Sequence, residues 1–256
     1  MENSFDAPPA MLDSAVLAGR NYEEFLSERE RQEFSRFRAP LRKSEWLAGR
    51  LTAKFLFLAG HGGMLSAADL DRFPPSIFRS TEVTRNDDVR FGIPTVTSGA
   101  AFRDVAISHT NGIACAVLST GGTVAVDLER VESRSAVFYR GNFTPGERAR
   151  TEECSHKFGL GPHWAFTLLW SMKECLLKTP AYNGFSIWDM PSLDLRIVSG
   201  EDALAHLQAA LEFSGSFVFL SVDVTSRNGS ASQRVAVSGR HDLIVTAIRE
   251  IDRRTV

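Results

Sequence analysis

The sequence predicts a mixed α/β (α+β) protein. Two long segments carry apolar residues at helical spacing, and several short segments carry the alternating or continuous apolar runs of β-strands. Glycine, proline and asparagine separate these segments, and helix and strand signals alternate along the 256 residues. The length allows one large domain or two small ones, with enough chain to bury a core.

Composition and charge exclude several classes of protein. Lys and Arg number 29 against 31 Asp and Glu, a net charge of −2, so we expect no nucleic-acid binding driven by overall basic charge. The sequence has no run of 18 apolar residues that would span a membrane, and its start lacks the apolar core of a signal peptide. Cys115, Cys154 and Cys175 form no C-x-x-C pair, so we expect free thiols, two of them in the core, in a cytoplasmic protein.

The N-terminal half, residues 1–121, begins with two predicted helices. Ser27 is a suitable N-cap with Glu30 three residues later, the pattern of a capping box. A second helix is predicted over about 43–59, where large apolar residues recur every three or four positions. Residues 72–100 are rich in Pro, Gly, Asn, Asp and Ser, so we expect a loop with short extended pieces.

A predicted β-hairpin and a predicted boundary follow. The runs DVAISH and IACAVL flank Asn111-Gly112, the dipeptide of a two-residue hairpin turn. Gly121-Gly122 interrupts the pattern, and we expect the boundary between the halves there. The run TVAVDLERV after it predicts a third strand.

The C-terminal half, residues 122–256, continues with a predicted helix start. Thr144 is a suitable N-cap, with Pro145 at the first helical position and Glu147 at the third. A longer helix is predicted over about 163–178. We then expect a strand over 193–198, a helix over 201–213, and the strands FVFLSVDV, VAVSG and DLIVTAIRE, with a polar loop RNGSASQ after the first of these.

Acidic residues on the third strand are candidate cation ligands. Val124, Val126 and Leu128 share one face, so Asp127 and Glu129 share the other, about 7 Å apart. Two carboxylates at this spacing can converge on one cation, and Mg²⁺ takes one or two carboxylates plus phosphate oxygens and water. The alternative is an edge strand with a solvated acidic face.

The helix WAFTLLWSMKECLLK adds a third acidic residue. Glu174 and Lys178 lie on one face, with Lys173 beside them. Trp170 and Leu177 lie on the same side, which indicates that this face is covered. Charges held between two layers need a partner, either each other or a bound ion and phosphate. The alternative is a solvated face with a weak surface ion pair.

Polar residues in the N-terminal half are candidate phosphate contacts. Ser108 and His109 end the first hairpin strand, where both can donate hydrogen bonds to a phosphate. The second helix and its start carry four positive charges, on Arg42, Lys43, Arg50 and Lys54. The alternatives are a capping role for the strand-end pair and a solvated basic face for the helix.

Five segments, in this order, resemble one family. They are RKSEWLAGRLTAK (42–54), ISHTNG (107–112), VAVDLERV (124–131), FTPGE (143–147) and WSMKECLLK (170–178). Together they resemble the Sfp-type 4′-phosphopantetheinyl transferases over roughly residues 20–190. The most specific part is the D-x-E strand followed by W-S-x-K-E-x-x-x-K, and the 174 − 127 = 47 residues from Asp127 to Glu174 suit the family.

The resemblance implies a fold and a reaction. The fold would be a pseudo-dimer of two similar half-domains, 1–121 and 122–256, with coenzyme A and Mg²⁺ bound in the cleft between them. The 4′-phosphopantetheine group of coenzyme A would pass to a serine of an apo acyl or peptidyl carrier protein, and 3′,5′-ADP would be released. The enzyme would be a transferase of the holo-[acyl-carrier-protein] synthase type, and the chain length suits the larger, monomeric members.

The resemblance also implies roles for the charged residues of the C-terminal half. Asp127, Glu129 and Glu174 would hold Mg²⁺ together with the pyrophosphate. Glu174 would also help to deprotonate the attacking serine, and Lys178 and Lys173 would face the phosphates. Catalysis would therefore depend on Asp127, Glu174 and Lys178 above all.

Further implied roles concern the other end of coenzyme A. Ser108 and His109 would contact the nucleotide, and Arg42 and Arg50 would lie on the 3′-phosphate side. Glu147 stands where the family has a further acidic residue, although its capping pattern alone also explains it.

Two positions depart from the family pattern. The segment 92–94 reads Gly-Ile-Pro, with Ile93 where the family often has a Lys that meets the pyrophosphate, and Arg85 and Arg90 are nearby candidates to replace that charge. Ala125 stands where the family usually has Gly. These departures leave open a catalytically silent member that binds coenzyme A or a carrier protein. A different Mg²⁺-dependent phosphotransferase is a further alternative, and fatty-acid, polyketide and nonribosomal-peptide carriers are all possible substrates.

Overall fold

The computed structural model describes residues 5, 7–85, 94–120, 122–158, 161–182, 184–198, 218–240 and 242–250. These residues form two β-sheets and several helices, which confirms the mixed α+β class. The chain divides into two compact units, Met1–Val126 with Arg249–Val256 and Asp127–Ile248. The division falls within a strand, whereas the sequence places the boundary at the preceding glycine pair, and that boundary stays a prediction.

The first sheet comprises six strands among the described residues. They are β1 (Ala10–Asp13), β2 (Gly63–Leu65), β3 (Thr81–Arg85), β4 (Pro94–Ser98), β5 (Ala101–Thr110) and β6 (Ile113–Ser119). Their order is β2-β1-β6-β5-β4-β3. Strands β1 and β2 pair in parallel, and the other neighbours pair antiparallel.

The second sheet comprises five strands in the same part of the chain. They are β7 (Thr123–Arg130), β8 (Asp194–Ile197), β9 (Val218–Ser226), β10 (Gly229–Arg240) and β11 (Leu243–Glu250). Their order is β7-β11-β10-β9-β8, which repeats the succession β1-β6-β5-β4-β3 of the first sheet. In both sheets the earliest strand therefore lies beside the latest one. The arrangement of two halves around a shared cleft stays a prediction.

Seven α-helices lie in the described ranges. They are α1 (Glu28–Ser35), α2 (Pro40–Ala59), α3 (Ala67–Leu70), α4 (Pro75–Ser80), α5 (Ala136–Asn142), α6 (Pro145–Phe158) and α7 (Pro162–Leu177). Short 3₁₀ helices span Ser14–Leu17, Tyr22–Phe25, Pro180–Tyr182 and Ile187–Ser192. None of the helices described is long and apolar enough to cross a membrane.

Helix α2 forms the core of the first unit together with its sheet. It packs on β1, β5 and β6, and its residues from 45 to 56 are buried. Gly49 permits this close packing, because a Cβ there would lie 2.8 Å from the Cγ2 of Ile107. The helix starts at Pro40, three residues before the predicted start, and ends before Gly60, whose φ of 68° is the left-handed conformation that glycine tolerates.

Two short sequence signals give the structures that they predict. Ser27 caps α1, and the side chains of Ser27 and Glu30 each bond the other's backbone N–H, which completes the capping box. The hairpin of β5 and β6 turns at Asn111-Gly112, where φ is 46° and 84° and Thr110 pairs with Ile113. Positive φ at both positions is the reason for this dipeptide in a two-residue turn.

Two predicted loops are more regular than expected. Residues 72–100 contain α4, β3 and β4, because the proline pair there starts a helix instead of breaking one and Thr81–Arg85 has the polar–apolar alternation of a strand. The polar run after β9 is a tight turn at 227–228, and its remaining residues extend β10. The helix predicted over 201–213 lies outside the described residues.

Helix α7 packs against β11 in the second unit. The hydroxyls of Ser171 and Thr246 are 2.8 Å apart, and the thiol of Cys175 donates to the carbonyl of Thr246 at 3.6 Å. Cys175 and Cys115 are fully buried, as predicted, whereas Cys154 is half-buried. Burial raises the pKa of the Cys175 thiol to about 12.

Each unit contains a buried lysine–glutamate ion pair at the start of a helix. In the first unit the ammonium of Lys54 bonds Glu30 and the carbonyls of Phe25 and Phe78, at 3.1 and 2.9 Å. Glu30 also accepts from the backbone N–H of Val83 in β3 at 3.1 Å. Lys54 is completely buried, so the predicted solvated basic face of α2 does not include it.

The second unit repeats this arrangement. Lys173 bonds Glu147 at 2.7 Å and the carbonyls of Asn142 and Met190, both at 2.9 Å. Glu147 also accepts from the N–H of Leu195 in β8 at 2.8 Å. In both units the glutamate caps a helix and accepts from the backbone of an edge strand. The lysine lies on the helix that follows and donates to a carbonyl of a 3₁₀ helix and to a carbonyl of a short α-helix.

We predict that Glu147→Gln lowers the free energy of unfolding by about 3–5 kcal/mol, because it leaves Lys173 buried without a counter-ion. Urea unfolding followed by circular dichroism measures the change. Glu152→Gln on the exposed part of the same helix is the matched control and should change stability by less than about 0.5 kcal/mol. Equal effects of the two substitutions would contradict a stabilising role of the pair.

Candidate active site

Asp127 is held in the interior by a lysine from α7. It is only 3% exposed, and its Oδ1 accepts a hydrogen bond from Lys178 Nζ at 2.6 Å. Strand β7 does lie at the edge of the second sheet, as one alternative proposed. Burial of Asp127 nevertheless argues against a solvated acidic face there.

Glu129 is fixed by a donor on each carboxylate oxygen. Trp170 Nε1 donates to Oε1 at 3.0 Å, and the guanidinium of Arg134 donates to Oε2 at 3.0 Å. Burial and the nearby charges of Asp127 and Glu174 raise the pKa of Glu129 to about 7, although Trp170 and Arg134 act in the opposite direction. Glu129 therefore titrates close to neutral pH.

Glu174 lies one turn before Lys178 on α7, as the sequence predicts. Its carboxylate is 4.0 Å from Lys178 Nζ, so the lysine lies within ion-pair reach of both Asp127 and Glu174. Burial and the charge of Asp127 raise the pKa of Glu174. Burial alone would lower the pKa of Lys178, but its contact with Asp127 raises it overall.

The covered face of α7 explains why these charges stay together. Trp170 is 7% exposed, so the helix is not fully solvated on this side as the surface-pair alternative requires, although the Lys178 side chain is 39% exposed. The ring of Phe138 on α5 packs edge-on against Trp170 with centroids 4.8 Å apart, and Arg134 stacks on the same ring at 5.2 Å. Glu129, Trp170, Phe138 and Arg134 thus form a closed ring of contacts.

The three acidic side chains suit a hard divalent cation in chemistry and charge. The charges of Asp127 and Glu174 raise the pKa of Glu129, the charge of Asp127 raises the pKa of Glu174, and all three side chains supply carboxylate oxygens, the ligands that Mg²⁺ prefers. Among the residues that the structure describes, no three His, Cys, Asp or Glu side chains form a ready-made metal cluster. Mg²⁺ needs only one or two protein carboxylates beside phosphate and water, so the donor set fits it.

Lys173 does not take the predicted position toward a phosphate. It is completely buried, and its three ammonium hydrogens have acceptors in Glu147, Asn142 and Met190. An ammonium group has only three donors, so none remains for a ligand. The structure therefore gives Lys173 the ion-pair role described above, and Glu147 is its partner and a helix cap.

Two of the candidate phosphate residues of the first unit contact each other. Arg42 bonds His109 Nε2, and His109 Nδ1 lies 3.3 Å from the Oε2 of Glu45. Ser108 is buried in β5 and precedes His109 in the strand, so its side chain lies on the opposite face of the sheet. Arg50 is 7% exposed, stacks on Trp46 at 4.6 Å and pairs with Glu33 at 3.4 Å.

Three contributing residues were not predicted from the sequence. Arg134 and Phe138 lie in or just after an irregular segment, where no periodicity indicates a partner. Glu45 is the single acidic residue of α2, and the other charged residues of that helix are basic. Of the two departures, Ile93 lies outside the described residues, as does Arg90, one candidate to replace the missing charge, whereas Ala125 is buried in β7. The other candidate, Arg85, is the last residue of β3.

Residues 123–211 match the sequence model of the 4′-phosphopantetheinyl transferase superfamily. The chain is similar to that superfamily over this segment. The segment contains β7, α7 and every acidic residue of the site, and the superfamily consists of transferases that use coenzyme A and a divalent metal. No curated protein matches the chain.

Titration of Glu129 should be visible in the stability of the metal-free protein. The pKa is about 7 in the folded chain against an ordinary value of 4.5, so the folded state binds the extra proton between these pH values. Stability should therefore fall as pH rises from about 5 to about 7. Glu129→Gln abolishes this dependence, so its stability relative to the unsubstituted chain should increase by up to roughly 3 kcal/mol over that range.

Urea unfolding of both chains in EDTA at pH 5, 6, 7 and 8 measures this difference. A difference that stays constant with pH would contradict the raised pKa of Glu129.

Proposed function

We propose that the protein transfers the 4′-phosphopantetheine group of coenzyme A to a serine of an apo acyl or peptidyl carrier protein and releases 3′,5′-ADP. The observation that carries the proposal is the group of Asp127, Glu129, Glu174 and Lys178, which strand β7 and helix α7 bring together within the matched segment. The reaction is a cytoplasmic one, in which the protein acts without a membrane or nucleic acid.

In this proposal Asp127, Glu129 and Glu174 hold Mg²⁺ next to the donor's diphosphate. When bound, the ion supplies Lewis-acid stabilisation of the charge that develops on phosphate oxygens. Two features of the residues support the assignment. The charges of Asp127 and Glu174 raise the pKa of Glu129 and the charge of Asp127 raises the pKa of Glu174, so a cation relieves this repulsion, and Trp170 with Arg134 fixes the orientation of Glu129.

Glu174 is the proposed base for the carrier serine. The serine oxygen forms a bond to the phosphorus that carries the pantetheine arm, and the bond from that phosphorus to the bridging oxygen breaks. The bonding electron pair leaves with 3′,5′-ADP, and the serine proton passes to Glu174 directly or through one water. The raised pKa of Glu174 suits this role, because a weakly acidic carboxyl group holds the proton better.

Lys178 is the proposed cation for the leaving group. Its side chain is 39% exposed, unlike that of Lys173, so part of it can meet a phosphate. A positioned ammonium stabilises negative charge that develops during phosphoryl transfer. Arg42, Ser108 and His109 are the proposed contacts of the nucleotide end of coenzyme A. Arg42 and Arg50, which stacks on Trp46, are the proposed basic residues on the side of the 3′-phosphate.

A panel of apo carrier proteins tests the activity. Each carrier, from fatty-acid, polyketide and nonribosomal-peptide systems, is incubated with the protein, coenzyme A and Mg²⁺ and analysed by intact mass. We expect one or more carriers to gain the mass of a phosphopantetheine group, with release of 3′,5′-ADP. Binding of coenzyme A without any transfer would instead support a catalytically silent member, and release of a different product would support another phosphotransferase.

We predict that Asp127→Asn and Glu174→Gln each lower transfer by at least about 100-fold, because each removes a charged ligand oxygen. Direct titration with Mn²⁺, followed by electron paramagnetic resonance in the presence of coenzyme A, should show weaker metal binding in both. Glu153→Gln on an exposed position of α6 is the control and should behave like the unsubstituted chain. Normal transfer by both site variants would refute the assigned metal site.

A further inference from the structure

Arg134 holds its guanidinium between two carboxylates and an aromatic ring. Its Nη2 donates to Oε2 of Glu129 at 3.0 Å, and its Nη1 lies 3.0 Å from Oε1 of Glu132. Its Cζ lies 5.2 Å from the centroid of the Phe138 ring, and its backbone N–H donates to the hydroxyl of Tyr139 at 3.3 Å. These contacts, on the backbone and on the side chain, fix the place of the positive charge.

The guanidinium has further hydrogen-bond donors. An arginine side chain carries five N–H groups, and the two carboxylates engage one on each terminal nitrogen. The Nε–H and the second hydrogen of each terminal nitrogen have no acceptor among the described residues. The Arg134 side chain is 30% exposed, so these donors can meet a ligand. Lys173 is the opposite case, because it is buried and all three of its donors have acceptors in the protein.

The two acidic partners of Arg134 differ in their exposure to water. The Glu129 side chain is 16% exposed, so its contact with Arg134 is shielded from solvent. The Glu132 side chain is 44% exposed, and an ion pair in such a place contributes little to stability. An anionic ligand can therefore replace Glu132 at Nη1 while Nη2 keeps its bond to Glu129.

Arg134 also lies near the proposed base. Burial raises the pKa of Glu174, and the charge of Arg134 acts in the opposite direction, so the guanidinium is within electrostatic reach of that carboxylate. In the proposed reaction the carrier serine gives its proton to Glu174 while it attacks the phosphoryl group that is transferred. Lys178 is assigned to the leaving group, and negative charge on the transferred group needs a cation of its own.

We propose that Arg134 is a substrate-binding residue, which donates hydrogen bonds to the phosphoryl group of coenzyme A that is transferred. The inference rests on the proposed function, because it takes coenzyme A as the donor. A planar guanidinium can donate two parallel hydrogen bonds to one phosphate, and stacking on Phe138 keeps that plane oriented. Arg134 lies outside the five segments that resemble the family, so the resemblance implies no role for it.

Two ligands that differ in this phosphoryl group test the proposal. Calorimetry in Mg²⁺ compares coenzyme A with 3′,5′-ADP, which lacks the phosphopantetheine group, for the unsubstituted chain, Arg134→Met and Arg134→Lys. We expect Arg134→Met to weaken binding of coenzyme A roughly tenfold and that of 3′,5′-ADP less than about twofold. Arg134→Lys should weaken binding of coenzyme A by an intermediate factor, because lysine keeps the charge and loses the planar pair of donors.

The same titrations in EDTA separate a direct contact from an effect on the metal site. Arg134 also orients Glu129, so a loss of affinity that occurs only in Mg²⁺ would come from the ion and not from the phosphate. A direct contact predicts that the selective loss of coenzyme A binding persists in EDTA. Arg140→Met, at an exposed position of α5, is the matched control and should change neither affinity by more than about twofold.

Any of three results would overturn the proposal. They are equal weakening of both ligands by Arg134→Met, a selective loss that disappears in EDTA, and affinities that do not change. Circular dichroism shows whether Arg134→Met is folded, and if it is not, the same comparison with Arg134→Lys decides. If the unsubstituted chain binds neither ligand and modifies no carrier, the proposed function itself fails, whereas binding of both with an unchanged ratio in the variants contradicts the role of Arg134 alone.

Discussion

The ion pair of Asp127 and Lys178 is the contact on which the acidic site depends. It joins an edge strand to the last turn of a buried helix, at residues that are 51 positions apart in the sequence. A buried carboxylate is unfavourable without a counter-ion, so the folded chain holds Lys178 beside it. Glu174 is then close enough to raise the pKa of Glu129, and the hydrogen bonds from Trp170 and Arg134 limit the positions that Glu129 can take.

Two other buried ion pairs follow the same principle, that a buried charge needs a counter-ion, but they stabilise the fold and not the acidic site. Lys54 with Glu30 and Lys173 with Glu147 lie in the interiors of their units, and each pair is completed by backbone groups of neighbouring elements. Breaking such a pair is costly because the remaining charge has no access to water. These pairs fix where the helices meet the edge strands. Lys178 of the acidic site differs from both buried lysines, because its side chain is partly exposed.

Periodicity predicts much of the fold and the acidic residues, because it depends only on neighbours along the chain. The alternation in β7 places Asp127 and Glu129 on one face, and the helical spacing of Glu174 and Lys178 is equally local. The ion-pair partner of each lysine, by contrast, is not determined by its neighbours along the chain. Lys173 and Lys178 lie five residues apart, and only the tertiary structure shows that one meets Glu147 and the other meets Asp127.

A search of the sequence for short repeats does not detect the similarity between the units. Corresponding residues are far apart, with 147 − 30 = 117 positions between the two glutamates and 173 − 54 = 119 between the two lysines. The cap, the lysine and the strand contact recur, whereas the residues around them differ. The contacts of Glu45 and Arg134 were not predicted for a related reason. Glu45 contacts a hairpin turn and Arg134 contacts an aromatic ring, and tertiary packing determines both contacts.

The burial of Cys175 in α7 makes the thiol a chemical reporter. With a pKa of about 12 and no exposed surface, it is almost entirely protonated and inaccessible to alkylating reagents at neutral pH. Reaction therefore requires α7 to separate from β11. The rate at which Cys175 is alkylated consequently measures how often the helix that carries Glu174 opens in the native ensemble.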